Sequence, residues 1–194
     1  MNRKDKYYIK AKKDNLRSRA AFKLMEIQEK FNVISENSNV LEIGASPGGW
    51  TQVIRTITGR PVISVDINRM KPIDGVIFIQ GDIKNPDIIN IIQKTMEGEG
   101  IEKIDVILSD AMVKTSGIGE RDHYESYLLG TAVMEMALKL LSPHGNVVIK
   151  QFQGDETGNF INKWKQYYSF NKITKPRASR SESREIYIVF KDRI

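Results

Sequence analysis

Five short apolar runs constrain this chain more tightly than any other feature. NVLEIGA (39–45), PVISVDI (61–67), VIFIQGD (76–82), IDVILSD (104–110) and NVVIKQF (146–152) are rich in β-branched residues and almost uninterrupted by polar ones. A strand that is apolar on both sides has to be covered on both faces, which is the situation of parallel strands in α/β proteins. The intervening segments have helical spacing and predict helices over 18–30, 48–58, 87–97 and 124–141. The last carries Tyr127, Leu128, Thr131, Met134, Met136, Leu138 and Leu141, and Ser142-Pro143-His144-Gly145 stops it. FNKITKP (170–176), a polar loop and EIYIVFK (185–191) read as an antiparallel hairpin-like edge. The expectation is an α/β fold: a doubly wound, three-layer, mostly parallel sheet with an antiparallel last strand. The 194 residues hold no repeat and suit a single domain over 1–194, with a basic N-terminal segment over 1–23.

The net charge of +6 is unevenly spread. Residues 1–23 hold nine Lys/Arg against two Asp, and residues 172–193 hold seven against three acids. The rest of the chain is slightly acidic. A polyanionic partner, most simply nucleic acid, explains basic ends on a non-basic body; a solvated surface with a frayed tail explains it equally well. No run of about 18 apolar residues is present, and no apolar stretch follows the basic start, so neither a membrane span nor a secretory signal is expected. Without cysteine and with only His123 and His144, the chain has no disulfide, no thiolate metal site and no His-rich one. A cytoplasmic monomer without a metal is expected.

In an open α/β sheet ligands bind beyond the carboxyl ends of the strands. There the sequence places Gly44-Ala45-Ser46-Pro47-Gly48-Gly49-Trp50, then Asp66, Asp82 and Asp110, with Lys150 near the end of the fifth run. A tight β–α turn with helix-capping acids would account for part of this. A nucleoside-containing cofactor accounts for more: glycines admit close approach, and a carboxylate after the second strand can accept two ribose hydroxyls. A dinucleotide wants a loop of N–H groups for its pyrophosphate, and Pro47 removes one. S-adenosylmethionine has adenosine and no phosphate, and its cationic groups favour a pocket lined by Glu42, Asp66, Asp82 and Asp110. Asp82 would meet the adenine amino group, and Gly48 and Trp50 would line the cofactor.

Lys150 is the anomaly of its run, an ammonium on an otherwise buried strand. If a hydroxyl accepts a methyl group it loses a proton, and a neutral lysine can take it. Burial and a second cation both favour the neutral form. Lys23, in RSRAAFKL, is a candidate for that cation; Asp110 and Glu185 are candidates to hold the ammonium. Spacing alone does not pair Lys23 or Glu185 with Lys150.

The stretches RSRAAFKL (17–24), LEIGASPGGWTQ (41–52), VDI (65–67), QGDI (80–83), LSD (108–110), VVIKQFQG (147–154) and SRSESREIYIV (179–189) together resemble the RrmJ/FtsJ family of ribosomal RNA ribose 2′-O-methyltransferases. The resemblance runs from about Arg17 to Lys191. It implies a Rossmann-like class I methyltransferase fold dependent on S-adenosylmethionine, and a catalytic tetrad of Lys23, Asp110, Lys150 and Glu185 with Lys150 as the base. It also implies cofactor contacts at Gly48, Trp50, Asp66, Asp82 and Asp110. The implied substrate is an A-loop uridine of large-subunit rRNA in the assembled subunit. The family pattern S-D-x-A-P is here Ser109-Asp110-Ala111-Met112-Val113, without the proline. Alternatives left open are the same chemistry on tRNA, an inactive RNA-binding assembly factor, and a nucleotide-dependent oxidoreductase, which Pro47 disfavours.

Overall fold

The computed structural model describes residues 6–113 and 115–194. Arg3, Lys4 and Asp5 of the basic N-terminal segment, and Lys114, lie outside the described residues. The chain forms one seven-stranded sheet in the order β3-β2-β1-β4-β5-β7-β6. The strands are β1 (Val40–Ile43), β2 (Val62–Asp66), β3 (Val76–Gln80), β4 (Ile104–Ser109), β5 (Leu141–Phe152), β6 (Tyr168–Thr174) and β7 (Glu185–Arg193). The helices are α1 (Lys6–Lys13), α2 (Ala20–Phe31), α3 (Gly49–Ile57), α4 (Ile88–Gly98), α5 (Gly119–Leu140) and α6 (Glu156–Trp164). The first five strands are parallel; β7 runs antiparallel to β5 on one side and to β6 on the other. The three-layer α/β expectation and the reversed last strand both hold. The 170–176 run, displaced to 168–174, is the outer edge, because β7 inserts between it and β5.

Alternation along the strands decides which helices cover which face. Leu41, Ile43, Ile63, Val65, Ile107, Val147, Ile149, Ile186 and Ile188 pack with residues of α4, α5 and α6. Val40, Val62, Val106, Leu108, Val148, Tyr187 and Val189 pack with Ala21, Leu24 and Ile27 of α2 and Val53 and Ile54 of α3. Lys150 follows Val148 by two, so its side chain falls on the α2 face. That parity brings a lysine of the fifth strand toward a helix at the other end of the chain.

Two helices were missed in the sequence. α6 is built from a Thr-Gly-Asn stretch of low helix propensity and exists because Phe160 and Trp164, one turn apart, are buried in the core. α1 is mostly lysine and tyrosine with one buried residue, Ala11, which packs with Phe22 and Ala178. α5 begins five residues before the expected Tyr124 because Asp122 folds the preceding loop onto it, accepting bonds from Ser116 N–H (2.6 Å) and Gly117 N–H (3.2 Å). The Ser142-Pro143-His144-Gly145 turn is absorbed into β5 as an irregularity: Ile104 pairs with Leu141, then Val106 with Asn146. Pro143 is tolerated there because the ladder is already broken.

The strand order reverses between β1 and β4, and the crevice opens where chains leave these two strands in opposite directions. Gly44 makes this junction possible. Its φ is +79°, and a Cβ there would lie 2.4 Å from Ala111 Cα. The loops after β1 and β4 thus touch backbone to backbone. Gly44→Ala is expected to destabilise the fold by roughly 2–4 kcal/mol through left-handed strain and overpacking. Urea denaturation checks it, and an unchanged midpoint would mean the two loops separate freely.

Candidate active site

A cleft of about 640 Å³ lies at this crevice. Gly44 and Ser46 form one wall, Asp66, Ile67, Asp82 and Ile83 another, and Asp110, Met112 and Lys150 close the inner end. Asp66 and Asp82 are oriented by backbone N–H groups. Asp66 accepts Ser46 N–H at 2.9 Å on one oxygen and Asn68 N–H at 2.7 Å on the other. Asp82 accepts Lys84 N–H at 2.9 Å. Lys84 and Glu125 form a half-exposed ion pair at 3.0 Å that joins the β3–α4 loop to α5 beside the cleft.

At the inner end the ionisable groups hold one another. Lys150 Nζ donates to the Asp110 carbonyl and lies 3.1 Å from Asp110 Oδ1. The Tyr187 hydroxyl donates to the same Oδ1 at 2.7 Å. Lys23 Nζ donates to Glu185 Oε2 at 2.9 Å and stands 5.7 Å from the Tyr187 ring centre. β5–β7 pairing accounts for this arrangement: Lys150 is opposite Tyr187, and Phe152 is opposite Glu185, so Glu185 and Tyr187 share the α2 face with Lys150. Burial pushes the Glu185 carboxyl up, but the Lys23 ammonium, its hydrogen bond and the Lys150 charge together hold it below the usual carboxylate range. Burial and then the Asp110 charge push the Tyr187 phenol well above its ordinary value, so it remains a donor.

The family model for FtsJ-like methyltransferases matches residues 16–193. The chain belongs to this family. The ribosomal RNA large subunit methyltransferase E of Picrophilus torridus is 54% identical over 194 residues, covering 100% of both chains. That of Thermoplasma acidophilum is 49% identical over 187 residues, covering 96% of this chain and 91% of its own. A solved Plasmodium falciparum structure described as a ribosomal RNA methyltransferase superposes with a TM-score of 0.81 at 34% identity, covering 91% of this chain and 98% of that one.

In this FtsJ-like chain Lys23, Asp110, Lys150 and Glu185 come together, and Asp66, Asp82 and Asp110 line the cleft. Gly48 and Trp50 do not line it. Trp50 is buried at 2% exposure, donates its indole N–H to Ala20 O at 2.9 Å and packs against Tyr187 at 5.6 Å between ring centres. Gly48, with φ +108°, lies beneath Arg17, whose Cδ would be 2.9 Å from a Cβ there. Arg17 in turn donates to the carbonyls of Pro47, Lys71 and Pro72, strapping the glycine loop down. Tyr187 and Arg17 escaped the sequence reading. Tyr187 could have been found as the residue two after Glu185, on the same strand face.

Glu42 was also expected in the acid lining. It lies beneath the loop instead, fully buried, with Thr51 and Ser64 hydroxyls each donating to Oε2 at 2.7 Å and no hydrogen-bond partner on Oε1. Burial raises its carboxyl to about 7; the two hydroxyls oppose this, and the Asp110 and Asp66 charges add to it. The raised value favours the protonated folded state. Its contribution is complete below the unfolded value of 4.5 and is lost as pH rises through about 7. The loss is a few kcal/mol, at ~1.4 kcal/mol per unit. Denaturant titrations of Glu42→Gln should lack this slope and leave the variant relatively more stable above neutral pH. A slope equal to that of the parent protein would exclude Glu42 as its source.

Proposed function

We propose that this FtsJ-like methyltransferase transfers a methyl group to a ribose 2′-hydroxyl of ribosomal RNA. The favoured target is a uridine in the A-loop of the large subunit, presented in the assembled particle. The observation that carries the reading is the placement of Lys150. A lysine that has released its proton has two N–H bonds and one lone pair. Asp110 offers two acceptors to that nitrogen, its carbonyl and its Oδ1. With both N–H bonds so engaged, the lone pair is left for an acceptor hydroxyl at the inner end of the cleft, which Lys150 lines. The names of the relatives, large-subunit rRNA methyltransferases across the whole chain length, support the RNA class.

The cleft fits S-adenosylmethionine. Its 640 Å³ is in the range of small-molecule sites, about 300–1,000 Å³. Asp66, fixed from below by two N–H groups, keeps lone pairs for the adenosine ribose hydroxyls. Asp82 would hold the adenine amino group, and Asp110 would set negative charge near the cofactor's cationic groups. Gly48 and Trp50 act from behind the cleft by fixing the start of α3. When bound, the cofactor supplies a methyl group activated for displacement.

The remaining chemistry belongs to the side chains. Lys150 takes the hydroxyl proton as the oxygen attacks. Asp110 aims Lys150 through two contacts, and Tyr187 stabilises the shared Oδ1 so that Asp110 does not rotate away. Lys23 and Glu185 hold a paired cation and anion beside Lys150, which keeps the local charge fixed as the proton moves. A base nitrogen would not call for such a proton acceptor, so the ribose oxygen is the better match.

Lys150→Ala is expected to retain cofactor binding by calorimetry and to lose methyl transfer by about 10²–10⁴-fold. Lys150→Arg should be almost as poor, because a guanidinium does not deprotonate near neutral pH; near-normal turnover would sink the base assignment. Deletion-strain large subunits, naked rRNA, tRNA and the DNA analogue should be offered side by side. The expected label is an alkali-resistant linkage in the large subunit, with the DNA inert for want of a 2′-hydroxyl. Label in tRNA alone, or on bases, would overturn the substrate.

A further inference from the structure

A second cavity of about 470 Å³ lies beside the tetrad. The tetrad is divided between the two spaces. Asp110 and Lys150 line the cleft, whereas Lys23 and Glu185 line this cavity together with Arg19, Arg180 and Ser183. Arg19 precedes α2, and Arg180 lies in the loop between β6 and β7. Their meeting is fastened by an Arg19 hydrogen bond to the Ala178 carbonyl and by packing of Ala11, Phe22 and Ala178. Burial and then the charge of Arg180 hold the Arg19 guanidinium below its ordinary value, with Glu185 opposing. Glu182 stands at the rim and is exposed. Two guanidinium groups brought together, Arg19 half-buried and Arg180 exposed, gain from an anion between them.

We propose that this cavity is the subsite for the phosphodiester on the 3′ side of the methylated ribose, with Arg19 and Arg180 as its phosphate ligands. The inference rests on the ribose reading above. In a ribonucleotide the 2′-hydroxyl and the 3′-phosphate are carried by adjacent ring carbons. A ribose whose 2′-oxygen reaches Lys150 therefore carries its 3′-phosphate only a few bonds away, whereas the 5′-phosphate hangs from the far side of the ring. Glu185 feels the charges of Lys23 and Lys150 on one side and acts on Arg19 on the other, so the base and the arginines adjoin the same carboxylate. The arginine forks can grip two phosphate oxygens each and so fix the sugar's orientation as well as its position.

The test uses the full chain loaded with S-adenosylhomocysteine and labelled at its arginine side chains. Uridine 3′-monophosphate, uridine 5′-monophosphate and sulfate are titrated separately, and the guanidinium resonances are followed by NMR. The 3′-monophosphate should move the Arg19 and Arg180 signals at several-fold lower concentration than the 5′ isomer or sulfate. Arg180→Gln, at an exposed position, should weaken that binding about tenfold, the scale of one charge-assisted hydrogen bond, and Arg180→Lys should restore part of it. Binding of S-adenosylhomocysteine should be unchanged in both variants. Equal affinity for the 3′ and 5′ isomers, or an Arg180→Gln variant that binds like the parent, would overturn the subsite. Nucleotides carry no ribosomal context, so this outcome is independent of which RNA is modified. Base methylation of the RNA with 3′ selectivity retained would keep the anion pocket and overturn the ribose reading instead.

Discussion

The contact on which the site depends is the double engagement of Lys150 by Asp110. A lysine at 8% exposure loses most of its hydration, and removing charge from water is costly unless partners replace it. Asp110 replaces it with a carbonyl and a carboxylate oxygen, and it can do so only because it directly follows β4, next to β5. Asp110 is itself held from two sides: its N–H donates to Ile43 O at 3.0 Å, and Tyr187 donates to its Oδ1. Truncating either partner of such a pair leaves a buried charge uncompensated, which typically costs about 3–5 kcal/mol.

Each neighbouring feature serves this contact. The antiparallel insertion of β7 brings Tyr187 opposite Lys150 and Glu185 one register step beyond. Helix α2 then supplies Lys23 to Glu185, and Trp50 of α3 fastens α2 through the Ala20 carbonyl while filling the space against Tyr187. Beneath the glycine loop, Glu42 ties β2 and α3 together through Ser64 and Thr51. The glycine loop is held from above by Arg17. A buried acid below and an arginine above thus fix a loop that has few side chains of its own.

The basic ends have a more structural use than their charge suggested. Arg17, Arg19, Lys175, Arg184, Lys191 and Arg193 all donate to backbone carbonyls. Arg193 closes the carboxyl end of α5, where unpaired carbonyls concentrate negative charge. These bonds fasten the two ends to the body and, through Ala11, Phe22 and Ala178, to each other. The net result places Arg19 and Arg180 together at the cavity that Lys23 and Glu185 line.

The sequence by itself determined the layering, because runs apolar on both sides leave no option but a sheet covered on both faces. It determined the strand-end acids, because the carboxyl edge of such a sheet is where polar residues have no packing reason to recur. Lys150 was legible as an anomaly for the same reason. α6 was not legible, since its residues favour helix only when Phe160 and Trp164 find a core to enter. Gly48 and Trp50 were legible as a motif but not in direction: an indole can line a pocket or fill a core, and the Ala20 carbonyl and Tyr187 ring decided for the core. The pairing of Lys23 and Glu185 with Lys150 was decided only in the tertiary structure. Lys23 is more than a hundred positions of chain from both Lys150 and Glu185, and no local periodicity relates a helix near one end to a strand near the other. Strand parity and the antiparallel register of β7 relate them, and register is a property of the assembled sheet.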